Sequence, residues 1–478
     1  MLDKNDVVEE RVEYHEIDGN QKFLHSPEEK AFLKKLNLRV LPIVFLIIFI
    51  QFCDKSALSV AAVLGMKDDV HMTGNQYNWL GSMFYLGYLV CQAPNNYLIQ
   101  RLPVGRYLGG VLILWGITMG CTGACHTYGQ LLGVRFLLGL FEGVTYPCLY
   151  IILNTLYRRS EQPAVWGFMG VSTGMGTVLG VAIAYGLAHM EGLGGLRAWR
   201  WAYIVFGIAT CLIGFITFLF LIDDTKHRLL NVQDIEFEII EERARDNSVV
   251  RVREVKRYQI MEALGEPRLY LLGLAFALNC LQNGGLITFS TLLVNNLGFS
   301  ETTSIILQIP SGIAAAVAAI GGVMLAKRLH RIVFTGMLMA VLSLLGCLLM
   351  IILPGEAKLA GYYLSWTMTG VNALLTTLLS NNVAGYSKKV FYNAVVITTS
   401  TIGNFCGPLM MTANQAPEYY GGLSGYLAAN ALIIVCLAAL YIMMGRENKR
   451  RAADPPVTKS DPHMDLTDKE DRNITYIL

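Results

Sequence analysis

An all-α polytopic membrane protein, with twelve transmembrane helices in two six-helix halves and both termini cytoplasmic, is the fold this sequence predicts. Three observations predict it. Of the 478 residues, 54% are hydrophobic and 15% charged, against about 25% charged in a soluble domain, and mean hydropathy is +0.44. Twelve stretches can be drawn that approach or exceed the roughly 20 residues a helix needs to cross the hydrocarbon core. Lys and Arg then gather on one side: 32 of the 38 fall on the face that carries both termini, and only Lys67, Arg197, Arg200 and Lys358 on the other. That asymmetry places the termini in the cytoplasm. A water-soluble enzyme is excluded by composition, and a net charge of +2 offers no basic excess to nucleic acid.

The elements follow in order. A charged segment (1–40) precedes the first bundle, 41–222, with spans at 41–64, 76–99, 107–125, 130–157, 164–189 and 198–222. A charged linker (223–267) leads to the second bundle, 268–444, with spans at 268–293, 302–326, 331–353, 359–382, 391–413 and 422–444, and a cytoplasmic tail covers 445–478. Ser26-Pro27-Glu28-Glu29 reads as an N-cap, a first-turn Pro and first-turn acids, so a short amphipathic helix is expected along the inner surface ahead of span 1. The head is too charged, and span 1 too long, for a cleavable signal peptide. Glu236 to Arg253 in the linker predicts a solvated, charged helix. The ten cysteines lie in apolar stretches without metal or disulfide spacing and read as packing thiols. No cofactor, metal or catalytic motif is expected. Asn473-Ile474-Thr475 matches a glycosylation sequon, but on the cytoplasmic side it stays unmodified.

Four charges stand inside the spans: Asp54 and Lys55 in span 1, Arg135 and Glu142 in span 4. Each costs roughly 2.5–3.5 kcal/mol at mid-membrane, so they must face one another or a wet cavity. Their signs balance. Arg135 and Glu142 are seven residues apart and share a helix face, about 10.5 Å apart along the axis. Counting from the outer ends puts Asp54 and Lys55 between them in depth. A buried lock between spans 1 and 4 would be a weak stabiliser, whereas intramembrane ionisable groups mark ion or substrate pathways. A carboxylate out of water takes up a proton more readily, and a nearby cation opposes that uptake. A proton relay is therefore expected of Asp54, Glu142 and Arg135.

The second half differs. Its spans hold amides and hydroxyls instead: Asn279, Gln282 and Asn283 in span 7, Thr369, Asn372 and Thr376 in span 10, Asn393 and Asn404 in span 11. Such groups either glue helices or bind the uncharged part of a substrate. Span 5 interleaves Gly170, Gly174, Gly176 and Gly180 in two G-x-x-x-G pairs, which predicts close packing that slides.

Several of these residues carry a resemblance. Arg135-Phe-Leu-Leu-Gly139-Leu-Phe-Glu142-Gly143 with Pro147 resembles the fourth helix of the major facilitator superfamily in its anion:cation symporter branch. Phe84-Tyr85-Leu-Gly87-Tyr88 with Gln92-Ala-Pro94-Asn95, Asn382-Val-Ala-Gly385-Tyr-Ser-Lys388-Lys389, and Ala416-Pro417-Glu418-Tyr419 together look like the fungal allantoate permease family, over residues 26 to 451. The resemblance implies two bundles around a central cavity that opens alternately to each side. It implies that Asp54 and Glu142 titrate, that Lys55 holds the anion, and that Arg135 couples the two. Lys55 stands where that family usually has Arg, Gln92 where span 2 usually has Glu, Ser56-Ala57-Leu58 for Asn-Ile-Gly, and Ile222-Asp223 for Pro-Asp.

The expected function is proton-coupled import of a small organic anion (a carboxylate, ureide or vitamin acid) by a multi-pass protein of the plasma membrane. The substrate set is Lys55, Arg135, Gln92, Asn279, Asn283, Asn372 and Asn404. Expected partners are the anion, protons and the lipid bilayer, with the chain a monomer. Export of an acidic metabolite and a non-transporting substrate sensor stand as alternatives.

Overall fold

A computed structural model describes residues 23, 26–158, 160–223, 230, 234–248, 256–453 and 465–478, and among these the regular structure is helical. All twelve expected spans are present. Spans 1 to 6 are Pro27–Ala61, Gln76–Ile99, Val104–Thr122, Tyr128–Leu156, Gln162–Ala188 and Ala198–Phe220. Spans 7 to 12 are Pro267–Asn295, Glu301–Leu329, Ile332–Ile352, Lys358–Ser365 continued by Met368–Asn382, Tyr386–Leu409 and Tyr420–Ala453. Among the described residues, nine helices are long and apolar enough to cross a membrane, by length and composition. Spans 2, 10 and 11 fall outside that group because they carry the polar residues of the interior.

Helix ends follow local chemistry. The Ser26 hydroxyl accepts from the Glu29 N–H at 3.0 Å, supplying one of the bonds a helix start lacks. Thr127 and Gln130 form a capping box at the start of span 4. The expected surface helix ahead of span 1 is corrected: Pro27–Ala61 is one continuous 35-residue helix. Its first turns stay upright because Glu29 and Phe32 are buried, Phe32 against Ile239 and Ile240 of the linker.

Close packing relies on glycine. A methyl group at Gly139 would collide with the Phe84 carbonyl, and one at Gly87 with that of Phe136, so spans 2 and 4 cross backbone to backbone. Gly403 and Gly407 of span 11 meet the Ala277 and Leu281 carbonyls of span 7 in the same way. Gly176 and Gly180 of span 5 lie on Phe49 and Cys53 of span 1, while Gly170 and Gly174 face open space.

The halves join at their outer ends. The Tyr77 hydroxyl donates to the Thr288 carbonyl at 2.6 Å, Ser82 to the Phe405 carbonyl at 2.7 Å, and the Thr291 N–H to Ser59 at 2.7 Å. Phe289 lies edge-on to Tyr77 and Tyr419. Further inward, Val90 and Tyr97 of span 2 and Ile397 of span 11 are exposed. Between spans 5 and 8 an apolar groove opens beside Gly174, Met175, Ala316 and Ile320.

Each half ends inward in an ionic cluster. In the first, Arg158 pairs with Glu29 at 2.8 Å and Glu242 at 2.9 Å, and Arg243 with Glu29 at 3.1 Å. The linker helix Asp234–Ser248 is thus docked through Ile239, Ile240 and Arg243 rather than solvated, since the buried Arg158 and Glu29 need partners. In the second, Lys388 bonds to Glu262, Glu266 and Asp468 at 2.6–2.7 Å. Asp468 belongs to the C-terminal tail, which lies folded against the second half, with Tyr476 4% exposed.

Candidate functional site

Adjacent positions on a helix point about 100° apart, and span 1 uses this to divide its two charges. Asp54 turns into the first bundle, where the Trp115 indole of span 3 donates to it at 2.8 Å. Lys55 turns towards span 4 and lies 3.2 Å from Glu142. One turn earlier, Gln51 donates to the same Glu142 oxygen at 2.9 Å. Arg135, two turns outward on span 4, donates to the Tyr203 hydroxyl of span 6, with its guanidinium 5.4 Å from that ring. Span 4 breaks at Gly143, immediately after Glu142.

Asp54, Lys55, Arg135 and Glu142 line one small cavity at the closed apex between the halves, together with Tyr85 of span 2 and Thr288 of span 7. Its volume is about 30 Å3, room for a water or two and none for an organic anion, so any substrate would enter as the apex opens. Asp54, Arg135 and Glu142 are buried, whereas the Lys55 side chain keeps 21% of its surface exposed. Phe52 and Tyr146 flank its ammonium at 4.9 and 5.9 Å, a setting that favours a cation. The second oxygens of Asp54 and Glu142, and the Gln51 carbonyl oxygen, have no hydrogen-bond partner among the described residues. A buried polar atom left unpaired is costly, and here two of the three spare acceptors belong to carboxylates, which could take a proton.

The remaining expected residues do not join this cavity. Gln92 donates to the Tyr88 carbonyl of its own helix at 3.3 Å. Asn372 is exposed on span 10, and its backbone carbonyl accepts from Thr376. The side-chain carbonyls of Asn279, Asn283 and Asn404 are buried and unpaired. Gln282, by contrast, is fully engaged with Ser343, the Ser365 carbonyl and Asn430, tying spans 7, 9, 10 and 12. Sequence reasoning missed Gln51, Trp115 and Tyr203. Gln51 had a signal, a polar residue one turn from Lys55 inside an apolar span. Trp115 and Tyr203 had none, because aromatics are ordinary in such helices.

Two helical bundles that meet over buried charge form the architecture of a secondary transporter. The Major Facilitator Superfamily model matches residues 44–456. The allantoate permease of Saccharomyces cerevisiae is 32% identical, over 95% of this chain and 87% of its own length. An uncharacterized transporter of Schizosaccharomyces pombe, C417.10, is 31% identical over 98% and 92%. The S. cerevisiae thiamine pathway transporter THI73 is 28% identical over 93% and 86%. Among solved structures, a bacterial homologue of the lysosomal transporter Spinster, inward-facing and unoccupied, superposes with a TM-score of 0.66 at 16% identity, over 83% of this chain and 95% of that one. The E. coli xylose transporter XylE, partially occluded and inward open, gives 0.61 at 11% identity, over 85% and 99%. The chain belongs to the Major Facilitator Superfamily and, within it, to the fungal family of the allantoate permease. It is an integral membrane transporter, not an enzyme.

Proposed function

We propose that this transporter imports a small organic anion together with protons. The Lys55–Glu142 pair at 3.2 Å carries the reading. One ammonium stands between a buried carboxylate and the space a substrate would enter. While Glu142 is ionised it holds Lys55. Once Glu142 takes a proton, Lys55 is released to a substrate carboxylate, so anion and proton bind together or not at all. Asp54, held by Trp115, is the second proton carrier. Arg135 sits at the outer end of the same cavity and couples the two sites to the outer seal. The unpaired amide oxygens of Asn279, Asn283 and Asn404 supply acceptors for the uncharged part of the substrate, and Gln92 and Asn372 line the path to the inner side. The plasma membrane suits such a role. There a potential near 100 mV supplies about 2.3 kcal/mol per charge and two pH units about 2.7 kcal/mol. A monovalent anion moving with one proton would draw on the pH term alone.

The test is uptake, by cells expressing the chain, of a panel of ureides, vitamin acids, amino acids and sugar acids at pH 5 and pH 7.5. Accumulation of one carboxylate, stronger at pH 5, is expected. No accumulation by protein verified at the cell surface would replace import with export or sensing.

A further inference from the structure

A second charged cavity lies away from the apex. On the inner face, the start of span 7, the end of span 12 and the folded tail enclose about 450 Å3, within the range of small-ligand pockets. Five cations line it: Arg268, Arg450, Arg451, Lys469 and Arg472. Glu266 and Glu447 are the two carboxylates of the lining, which leaves three positive charges in excess. Its floor is apolar, at Met443 and Met444.

The cations are held at different depths. Arg268 is 8% exposed, fixed through one nitrogen by Glu266 at 2.7 Å and Asp468 at 2.5 Å, while its other terminal nitrogen is buried without a partner. Arg451 is braced by Glu447 and the Ile474 and Asp468 carbonyls. The Arg450 side chain is 81% exposed and only 4.0 Å from Glu447, and Lys469 and Arg472 stand exposed at the rim. Guanidinium forks suit phosphate oxygens geometrically. Basic pockets between helices at the cytoplasmic boundary are where anionic headgroups bind.

We infer that this pocket binds a phosphomonoester of at least two negative charges, carried by a phospholipid headgroup of the inner leaflet or by a soluble phosphate compound. The tail supplies Lys469, Arg472 and Tyr476 to the pocket, so binding holds the tail in its docked position.

Native mass spectrometry of the full-length protein, offered phosphatidylinositol 4-phosphate, phosphatidylserine or phosphatidylcholine, reads lipid retention. Calorimetry with soluble inositol 1,4-bisphosphate reads the headgroup alone. Retention of the phosphoinositide above phosphatidylcholine is expected. In Arg450→Gln/Arg472→Gln, affinity should fall roughly thirtyfold, at about fivefold per removed charge. The control is Arg446→Gln/Lys449→Gln, which removes two exposed charges outside the pocket and should keep binding near wild type. Equal affinity for lipid and free bisphosphate would assign a soluble ligand; binding of the lipid alone would assign the headgroup, and both support the site. The inference is overturned by retention no greater than phosphatidylcholine together with no heat from the bisphosphate. It is overturned equally if both double variants lose the same affinity.

Discussion

The buried charges at the apex and those at the inner end of the second half are built to opposite rules. At the inner end of the second half, each Lys388 proton has a carboxylate, from Glu262, Glu266 and Asp468. Tyr392 and Tyr476 add donors to Glu266 and Asp468 at 2.6 Å. The three carboxylates come within 4.8 Å of one another, as metal ligands would, but the ammonium of Lys388 is bonded to all three. At the apex, four charges make one ion pair, Lys55 to Glu142, and both carboxylates keep a bare oxygen. Saturation fixes a structure, because any rearrangement breaks bonds that nothing replaces. Incomplete pairing leaves alternatives of similar energy, which a switch requires. That contrast suits the inner cluster to anchoring and, on the function proposed above, the apex to moving.

The sharpest way to break that contrast is Arg135→Ala. Arg135 is the cation at the outer end of the apex cavity and donates to Tyr203; without it uptake should disappear, a loss of some 10²–10³-fold or about 3–4 kcal/mol, with the protein still at the cell surface. Full activity would make the apex a second structural lock. Lys388→Met should cost a similar free energy but in stability, because Glu262, Glu266 and Asp468 lose the ammonium they share. A lowered thermal midpoint with unchanged substrate affinity in the surviving protein is the expected signature. Glu142→Gln should flatten the dependence of accumulation on pH between 5 and 7.5 while substrate exchange persists. A wild-type pH profile in that variant would remove Glu142 from the relay.

Two smaller effects sharpen the comparison. Lys55→Ala should weaken affinity for a carboxylate substrate about tenfold, the lower range for a charge-assisted bond, with expression unchanged. At the inner cluster, burial by itself would raise the Asp468 carboxyl, but Arg268 and Lys388 outweigh it and hold it down at about 2. A depressed carboxylate contributes stability above its unfolded value, 3.8, and loses it as pH falls through about 2. Hydrogen-exchange protection over residues 465–478, after correction for the intrinsic rate at each pH, should therefore be the same at pH 5 and pH 8 and fall in Asp468→Asn.

Hydropathy and positive charge made the twelve spans and their sidedness legible, because a helix in lipid must satisfy its backbone internally and therefore shows its length in sequence. The charged apex was legible too, since Asp54, Lys55, Arg135 and Glu142 are too costly in lipid to stand without a role. The partners were not. Helix spacing put Asp54 and Lys55 near both charges of span 4, but whether Glu142 would meet Lys55 or Asp54 depends on the rotation of span 1. Trp115 and Tyr203 become partners only because spans 3 and 6 pack behind it.

The tail shows the same limit. Residues 445–478 read only as a cytoplasmic tail, yet Asp468 and Tyr476 are buried in the inner cluster, reached across more than 70 positions from Lys388. A short polar segment has no periodicity to announce its docking site, since its bonds are to side chains distant in sequence. The sequence by itself determined what had to be buried, and at what depth. Which charge meets which partner, and so which cluster holds still and which can switch, was decided by helix rotation and crossing in the tertiary structure, because ionic bonds act over a few ångströms and hydropathy does not record direction.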